Sequence, residues 1–368
     1  MDKVYDKCCG IDVHKKLIVA CFRKGSKQEL RNFGATTREL LELANWLQNG
    51  GCEMVAMEST ASYWKPLYNI LESSELKAMV VNASHMKAVP GRKTDTKDAE
   101  WIAELLQHGL LKASYIPDKQ QRELRELVRY RKSLVSERTR ELNRLQKMLE
   151  GANIKLSGTV SDINCMSARN ILEYLLTGEF FDEAKYDEMY KQKIIAHNLK
   201  ASKEQIIDDL NGVMTPLQRR MMKELLSHLD ELNVHINNLE DEIDNFMKPE
   251  EKQATQAIQD VTGIGKNSSQ AIISVIGTDM SRFPTAGHLA AWAGLCPGNN
   301  ESAQKRKTGK MRKGNALLRS TLVVCAHSAT RNKNSYFYAQ FMRISSHRGK
   351  KRAYVAVAHS MLIAIYHI

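Results

Sequence analysis

A long heptad repeat of apolar residues in the middle of the sequence restricts the fold more than any other feature. Its members alternate between steps of three and four residues, and they are Met222, Leu225, Leu229, Leu232, Ile236, Leu239, Ile243 and Phe246. A seam held for more than three heptads predicts a long helix that buries one face against another helix in a coiled coil. Residues 119–147 offer a partner, because they combine leucines at helical spacing with ten Lys or Arg against four acids. The seam ends in an acidic run, and the sequence leaves open whether its partner lies in the same chain or in another subunit.

Short β-type runs alternate with helical periods in the first hundred residues. Strands are expected at 4–13, 17–23, 29–33, 53–58 and 78–82, and helices at 37–47, 62–71 and 94–108. Strands and helices in this order predict a mixed sheet with helices on its faces.

Positive charge is concentrated in the last third of the chain. Residues 251–368 contain 17 Lys or Arg against four Asp or Glu, whereas the first 250 residues are nearly balanced. This distribution favours a polyanionic partner, because cations that contact phosphates release condensed counterions. A basic surface that serves only solubility is the alternative.

The sequence also predicts the compartment. No apolar stretch is long enough to span a bilayer, and the N-terminus is too charged for a signal peptide. The seven cysteines include no C-x-x-C pair, which indicates reduced thiols rather than disulfides or a zinc site. We therefore expect a cytoplasmic protein with no membrane partner.

Four carboxylates occupy positions from which they could converge. Asp12 and Glu58 end predicted strands, while Asp95 and Asp98 are three residues apart and share a face of a predicted helix. Magnesium prefers hard oxygen ligands, and a pair of such ions can activate a nucleophile and stabilise a leaving oxygen on phosphorus. The alternative is that each acid is only solvated, with Asp95 as a helix cap.

The stretch V-T-G-I-G at residues 261–265 has the shape of a helix-hairpin-helix turn. Gly263, Gly265 and Lys266 would let backbone amides at a helix N-terminus approach a nucleic-acid phosphate. A nucleotide-binding P-loop does not fit, because its first glycine and the hydroxyl residue after the lysine are absent. A plain tight helical turn is the competing interpretation.

Several motifs together resemble a known family. G-I-D-V-H-K-K, M-E-S-T and K-T-D-x-x-D-A, in this order, look like the DEDD catalytic domain of the transposases of bacterial insertion-sequence family 110. The segment from V-T-G-I-G through A-G-L-C-P to E-S-A-Q-K-R-K resembles the family's second conserved domain. The resemblance implies a RuvC-like, RNase H-type fold for the N-terminal domain, with Mg²⁺ held by Asp12, Glu58, Asp95 and Asp98.

The same resemblance matches the family's catalytic serine to Ser302. Its hydroxyl would attack phosphorus and hold a DNA end as a phosphoserine ester, so that rejoining needs no ATP. The cations expected to bind the phosphate and its transition state are Lys305, Arg306, Lys307, Lys310, Arg312 and Lys313. Alanine and glutamine follow Ser302 where many relatives have two glycines. The alternative role for this serine is a hydrogen-bond donor to phosphate.

These observations predict three domains. They are a RuvC-like catalytic domain at 1–115, a helical coiled-coil region at 116–250 and a mainly α-helical C-terminal transposase domain with the serine at 251–368. The expected function is DNA strand exchange by a mobile-element transposase. The resemblance adds a structured bridge or seeker RNA as guide, double-stranded donor and target DNA, and a homo-oligomer from dimer to tetramer with an active site shared between subunits. The alternatives are a RuvC-like or RNase H-like nuclease that uses water, and a non-enzymatic nucleic-acid-binding coiled-coil protein.

Overall fold

The structure is a computed structural model whose described residues fall into two compact units. It describes residues 3–82, 98–160, 162–195, 201–297, 301–302, 305–306, 311 and 314–368, with the backbone alone at 301–302 and 305–306. Contacts divide the chain into residues 1–117 and 118–368. Each unit is considered by itself below.

The first unit is built on a five-stranded mixed sheet. The strands are β1 (Lys7–Val13), β2 (Leu17–Lys24), β3 (Lys27–Gly34), β4 (Met54–Glu58) and β5 (Ala78–Val81). They lie in the order β3-β2-β1-β4-β5, in which β1 is antiparallel to β2 and parallel to β4. The central strand β1 is almost continuously apolar because both of its faces are covered, whereas β3 is an edge strand and reads as polar.

Three helices cover the two faces of this sheet. Helices α1 (Thr37–Asn49) and α2 (Trp64–Ser73) pack on one face, and α3 (Asp98–Gln107) packs on the other. The predicted mixed α/β region is confirmed, with strand ends that differ by up to three residues. The first strand begins at Lys7 rather than at Val4, because the Val4 N–H bonds to the Gln107 carbonyl at 2.8 Å instead of joining the sheet.

Gly10 lets α3 lie directly on the centre of the sheet. A Cβ at this position would come within 2.2 Å of the Ala103 nitrogen and 2.5 Å of the Ala99 carbonyl oxygen. Both are backbone atoms of a helix, so they cannot move aside as a flexible side chain can. Only glycine permits this contact between β1 and α3.

The second unit is mostly helical. Its helices are α4 (Lys119–Gly151), α5 (Leu156–Thr159), α6 (Met166–Leu175), α7 (Glu183–Lys191), α8 (Lys203–Leu210), α9 (Pro216–Phe246), α10 (Pro249–Ile258), α11 (Lys266–Ile276), α12 (Ala286–Trp292), α13 (Ala316–Ala329), α14 (Tyr336–Arg348) and α15 (Lys350–His367), with a 3₁₀ turn at Met280–Arg282. A short hairpin of β6 (Glu301–Ser302) and β7 (Lys305–Arg306) precedes α13. None of the described helices is both long and apolar enough to cross a membrane.

The heptad seam of α9 packs against α4 of the same chain. Leu232 and Ile236 contact Leu134 midway along the pair, and Ile243 packs with Leu124 and with the C-terminal helices. At the other end, Met222 and Leu229 join the core of α5 to α8, so the two long helices run antiparallel. The partner that the sequence left open is therefore the basic helix of the same chain, while supercoiling of the pair stays a prediction.

Three members of the predicted seam, Leu225, Leu239 and Phe246, are only half-buried and pack at the margin of the contact. Leu226 is 4% exposed and fills the core, whereas Leu225 is half-buried. A straight helix turns once in 3.6 residues, so a buried face drifts relative to a strict heptad, and over 31 residues it reaches the neighbouring position.

Arginines of α4 hold α11 in place. Arg125 donates from Nε to the Ser274 carbonyl at 3.2 Å and from Nη2 to the Val275 carbonyl at 3.0 Å, which satisfies carbonyls in the last turn of α11. Arg131 is 4% exposed and donates to the Asn267 carbonyl at 3.0 Å. Burial lowers the pKa of Arg125 to about 10, with a smaller contribution from Arg129, and the guanidinium still stays charged at neutral pH. Part of the basic character of α4 thus serves the fold.

Replacing Gly10 by alanine should destabilise the first unit. The added methyl group must push α3 away from β1, and overpacking of this kind costs about 1–3 kcal/mol. Denaturant unfolding followed by tryptophan fluorescence would measure it, because three of the four tryptophans lie before residue 118. Gly151→Ala is the matched control, since its Cβ would meet nothing within 4 Å. A wild-type unfolding midpoint for Gly10→Ala would contradict the close contact.

Placing a carboxylate on the buried seam should unfold the second unit. Leu232 is 3% exposed, and a buried carboxylate without a partner costs several kcal/mol. Leu232→Glu should therefore lose its helical circular dichroism signal at a lower temperature than wild type. This drop in melting temperature should not depend on protein concentration, because the contact is within one chain. Val234→Glu, at a position 56% exposed on the same helix, should melt as wild type does. A shift that disappears at high protein concentration would instead indicate an intersubunit seam.

Candidate active site and nucleic-acid surfaces

Asp12 and Glu58 lie side by side where two interior strands of the sheet end. β1 and β4 are parallel neighbours, and their last paired residues are Ile11 and Met57. Asp12 and Glu58 are the next residues of the two strands, so both carboxylates stand at the carboxyl ends of adjacent strands.

The same face of the sheet also meets the start of α3. Cys8 and Ala56 pack with Ile102 of α3, and side chains alternate along a strand, so Asp12 and Glu58 belong to that face as well. α3 runs antiparallel to β1, since its end at Gln107 bonds to Val4 while Ala99 and Ala103 contact Gly10. Asp98, the first residue of α3, is therefore at the end of β1 that carries Asp12. The strands and the helix place three of the four predicted carboxylates at one end of one face.

His14 is a neighbour of Asp12 to which the sequence analysis assigned no role. His14 Nε2 lies 2.9 Å from Asp12 Oδ2, and the side chains are 57% and 15% exposed respectively. The signal was present in the sequence, because residues two apart on an extended chain point to the same side. The imidazole can orient this carboxylate, and it adds an ion pair when it is protonated.

The carboxylates are not gathered into a closed metal site in the part of the chain that the structure describes. Among those residues, no three His, Cys, Asp or Glu side chains are close enough to hold one ion together. Asp95 lies outside the described residues, as does the whole of 83–97. The donor types nevertheless fit magnesium, since carboxylate oxygens are its preferred protein ligands.

Three cysteines of the first unit are poor nucleophiles. All seven are free thiols. Burial raises the pKa of Cys8 and of Cys21 to about 11 and that of Cys52 to about 12. These three stay protonated at neutral pH, and the thiol is a poor nucleophile compared with the thiolate.

Ser302 lies in a short antiparallel hairpin, at the end of β6. It pairs with Lys305 as Glu301 pairs with Arg306, and an antiparallel bridge between Pro297 and Met311 continues the two arms. Ser302 is the last residue of β6, and residues 303 and 304, which separate the paired positions, lie outside the described residues. The other predicted phosphate-binding cations, Lys307, Lys310, Arg312 and Lys313, lie outside the described residues.

The V-T-G-I-G segment joins α10 to α11. Gly263 has φ +92°, and a Cβ there would come within 2.6 Å of the Ala329 nitrogen and the Cys325 carbonyl oxygen of α13. This glycine therefore serves packing inside the unit. Gly265 is exposed and caps α11, and Lys266 forms an ion pair with Asp244 of α9. Gly265 and Lys266 thus form an exposed helix N-terminus. A helix-hairpin-helix role for the segment stays a prediction.

Two family models match parts of the chain. Residues 9–154 match a family model for the DEDD transposase of IS110, described as a transposase. Residues 255–341 match a second model, described as the transposase IS116/IS110/IS902 family.

Two curated relatives are similar over most of their length. The transposase for insertion sequence element IS1111A of Coxiella burnetii is 23% identical over 314 residues, which cover 84% of this chain and 75% of that protein. A probable family 20 transposase of Pseudomonas aeruginosa is 23% identical over 325 residues, which cover 88% and 80% respectively. Because the two family models together match more than half of the sequence, this chain belongs to the IS110 family of transposases.

Proposed function

We propose that this transposase is a magnesium-dependent recombinase that cuts and rejoins DNA with two sets of residues, the DEDD carboxylates and Ser302. The observation that carries the proposal is the position of Asp12 and Glu58 at adjacent strand ends, on the face where α3 begins with Asp98. The RuvC-like assignment rests on the motif resemblance, and the five-stranded mixed sheet of the first unit is compatible with it.

Asp12, Glu58, Asp95 and Asp98 would hold the metal. Bound Mg²⁺ would supply Lewis-acid stabilisation of the negative charge that develops on phosphorus. His14, through its contact with Asp12, keeps one carboxylate oriented. The role of the protein at this edge is to fix several carboxylates that would repel one another without a cation.

Ser302 would be the nucleophile. Its Oγ loses a proton and bonds to phosphorus, the P–O bond to the departing DNA end breaks, and the departing oxygen takes up a proton. The reverse attack by a DNA hydroxyl then releases the serine and joins a strand. Exchange of one phosphoester for another conserves the bond energy, so no nucleotide triphosphate is consumed. Lys305 and Arg306, on the strand paired with that of Ser302, supply positive charge beside the serine strand.

The specificity of the reaction is also part of the proposal. The family resemblance, together with the charge of the last third, supports a structured guide RNA that pairs with donor and target DNA. It supports a homo-oligomer in which the serine of one subunit meets the carboxylates of another. The apolar seam of α9 does not join subunits in this assembly, because α4 of the same chain packs against it.

Neutralising Asp12 should abolish strand exchange. Asp12→Asn keeps the shape of the side chain and removes a ligand charge, so we expect a loss of roughly 10²-fold or more, as when one transition-state stabilising group is removed. Binding of Mn²⁺, measured by electron paramagnetic resonance, should weaken in parallel. Glu42→Gln, an exposed acid on the opposite face of the sheet, is the control and should change neither quantity. Unaltered recombination by wild-type protein in excess EDTA would contradict the metal site.

Removing the Ser302 hydroxyl should eliminate the covalent intermediate. A serine that only donates a hydrogen bond is worth about 1 kcal/mol, which is less than tenfold in rate, whereas loss of a nucleophile abolishes turnover. Labelled DNA should shift with wild-type protein on a denaturing gel and should not shift with Ser302→Ala.

Ser227→Ala, at an exposed position of α9, is the matched control and should retain the adduct. Cleavage without any adduct would favour the nuclease that uses water. An adduct that maps to Tyr336 or Tyr338 would make the serine assignment wrong.

A further inference from the structure

The corner between α14 and α15 carries a dense cluster of exposed cationic side chains. This basic corner consists of Arg343, His347, Arg348, Lys350, Lys351 and Arg352, all exposed. None of them belongs to the predicted site residues, and they are separated in sequence from the basic segment that follows Ser302.

No acid in the neighbouring sequence neutralises the basic corner. The chain contains no Asp or Glu after Glu301, whereas residues 302–368 contain 14 Lys or Arg. Within the described part of the chain, ion pairs such as those of Arg282 and Lys266 occur, but none includes a member of the corner. Its charge is therefore available to an external anion.

The first turn of α15 is electrostatically unfavourable as it stands. Lys350, Lys351 and Arg352 occupy the N-terminus of this 18-residue helix, where the helix dipole is positive and acids are preferred. Some helices of the same unit follow the preference, as α10 does with Glu250 and Glu251 in its first turn. A charge arrangement that opposes folding is typical of a functional surface.

The corner is held in a defined geometry. Gly349 has φ +79° and serves as both the end of α14 and the start of α15, so the chain reverses within one residue. Behind it, Phe341 and Tyr354 pack with ring centroids 4.5 Å apart, and Gln340 Nε2 donates to Ser360 Oγ at 2.8 Å. The cations thus project from a packed helical pair.

We propose that the basic corner binds the phosphodiester backbone of nucleic acid and orients the second unit on it. The exposed N–H groups at the start of α15 add to the attraction of the side chains, since the N-cap glycine has no side chain to accept from them. The inference deepens the proposed function by naming a nucleic-acid contact, and it requires neither the metal nor the serine. A corner of this kind contributes affinity rather than base specificity.

The test is equilibrium binding by the full-length triple variant Lys350→Gln, Lys351→Gln, Arg352→Gln. Fluorescence anisotropy would follow a random-sequence DNA duplex in one arm and an unrelated RNA hairpin in the other, both in EDTA. Three phosphate contacts contribute about 2–3 to the slope of log K against log salt on duplex DNA, and we expect that slope to fall by this amount. Affinity at about 0.1 M salt should fall roughly 10- to 100-fold. The arm that shows the larger loss identifies the polymer.

Thermal stability separates this role from a structural one. The triple variant should melt at the wild-type temperature or above it, because it removes repulsion at a helix N-terminus. Lys351→Glu places an acid where the dipole prefers one, so it should bind more weakly and melt no lower.

The matched control is Arg220→Gln, Lys223→Gln, Lys252→Gln, which removes three exposed helical cations elsewhere in the unit. Unchanged affinity and slope in both arms, or an equal loss in the control, would overturn the proposal. Because catalysis is not measured, an inactive metal or serine site cannot produce either result.

Discussion

The parallel pairing of β1 with β4 determines the arrangement of the first unit. It brings the carboxyl ends of two strands that are distant in sequence to one edge, and its register sets Asp12 beside Glu58. Side chains alternate along each strand, so a slip of one residue would turn one carboxylate to the opposite face. α3 can then approach the same face only because Gly10 has no side chain. The strand pairing and Gly10 act together, because either one alone would leave Asp98 of α3 distant from Asp12 and Glu58.

The second unit depends on the contact between α4 and α9. One end of this pair enters the core of α5 to α8, and the other end enters the core of the C-terminal helices. Arg125 and Arg131 extend the contact to α11 through backbone carbonyls. The cations of the chain consequently divide between two uses: those on α4 partly support the fold, and those at the end of α14 and the start of α15 remain on the surface.

Much of the first unit could be predicted from the sequence, because strand and helix periods are local. The partner of the α9 seam could not, since the seam alone is equally suited to a helix of another subunit. The hairpin at Ser302 could not either, because strands of two residues have no period. The ion pair of Lys266 with Asp244 joins residues from different helices, which no spacing rule reveals. The division into three domains stays a prediction, as does the role of Asp95.

The contact of Gly10 with α3 has a consequence during synthesis. β1, β2 and β3 are available as soon as about the first 35 residues have been made, since hairpin pairing is local. Asp98 can reach its place only after roughly sixty further residues have left the ribosome and α3 has docked on the sheet. Asp12 and Asp98 therefore stay in separate, unfinished segments until somewhat more than a quarter of the 368 residues has been made. The carboxylates proposed to hold the metal can therefore come together only once the first unit is complete.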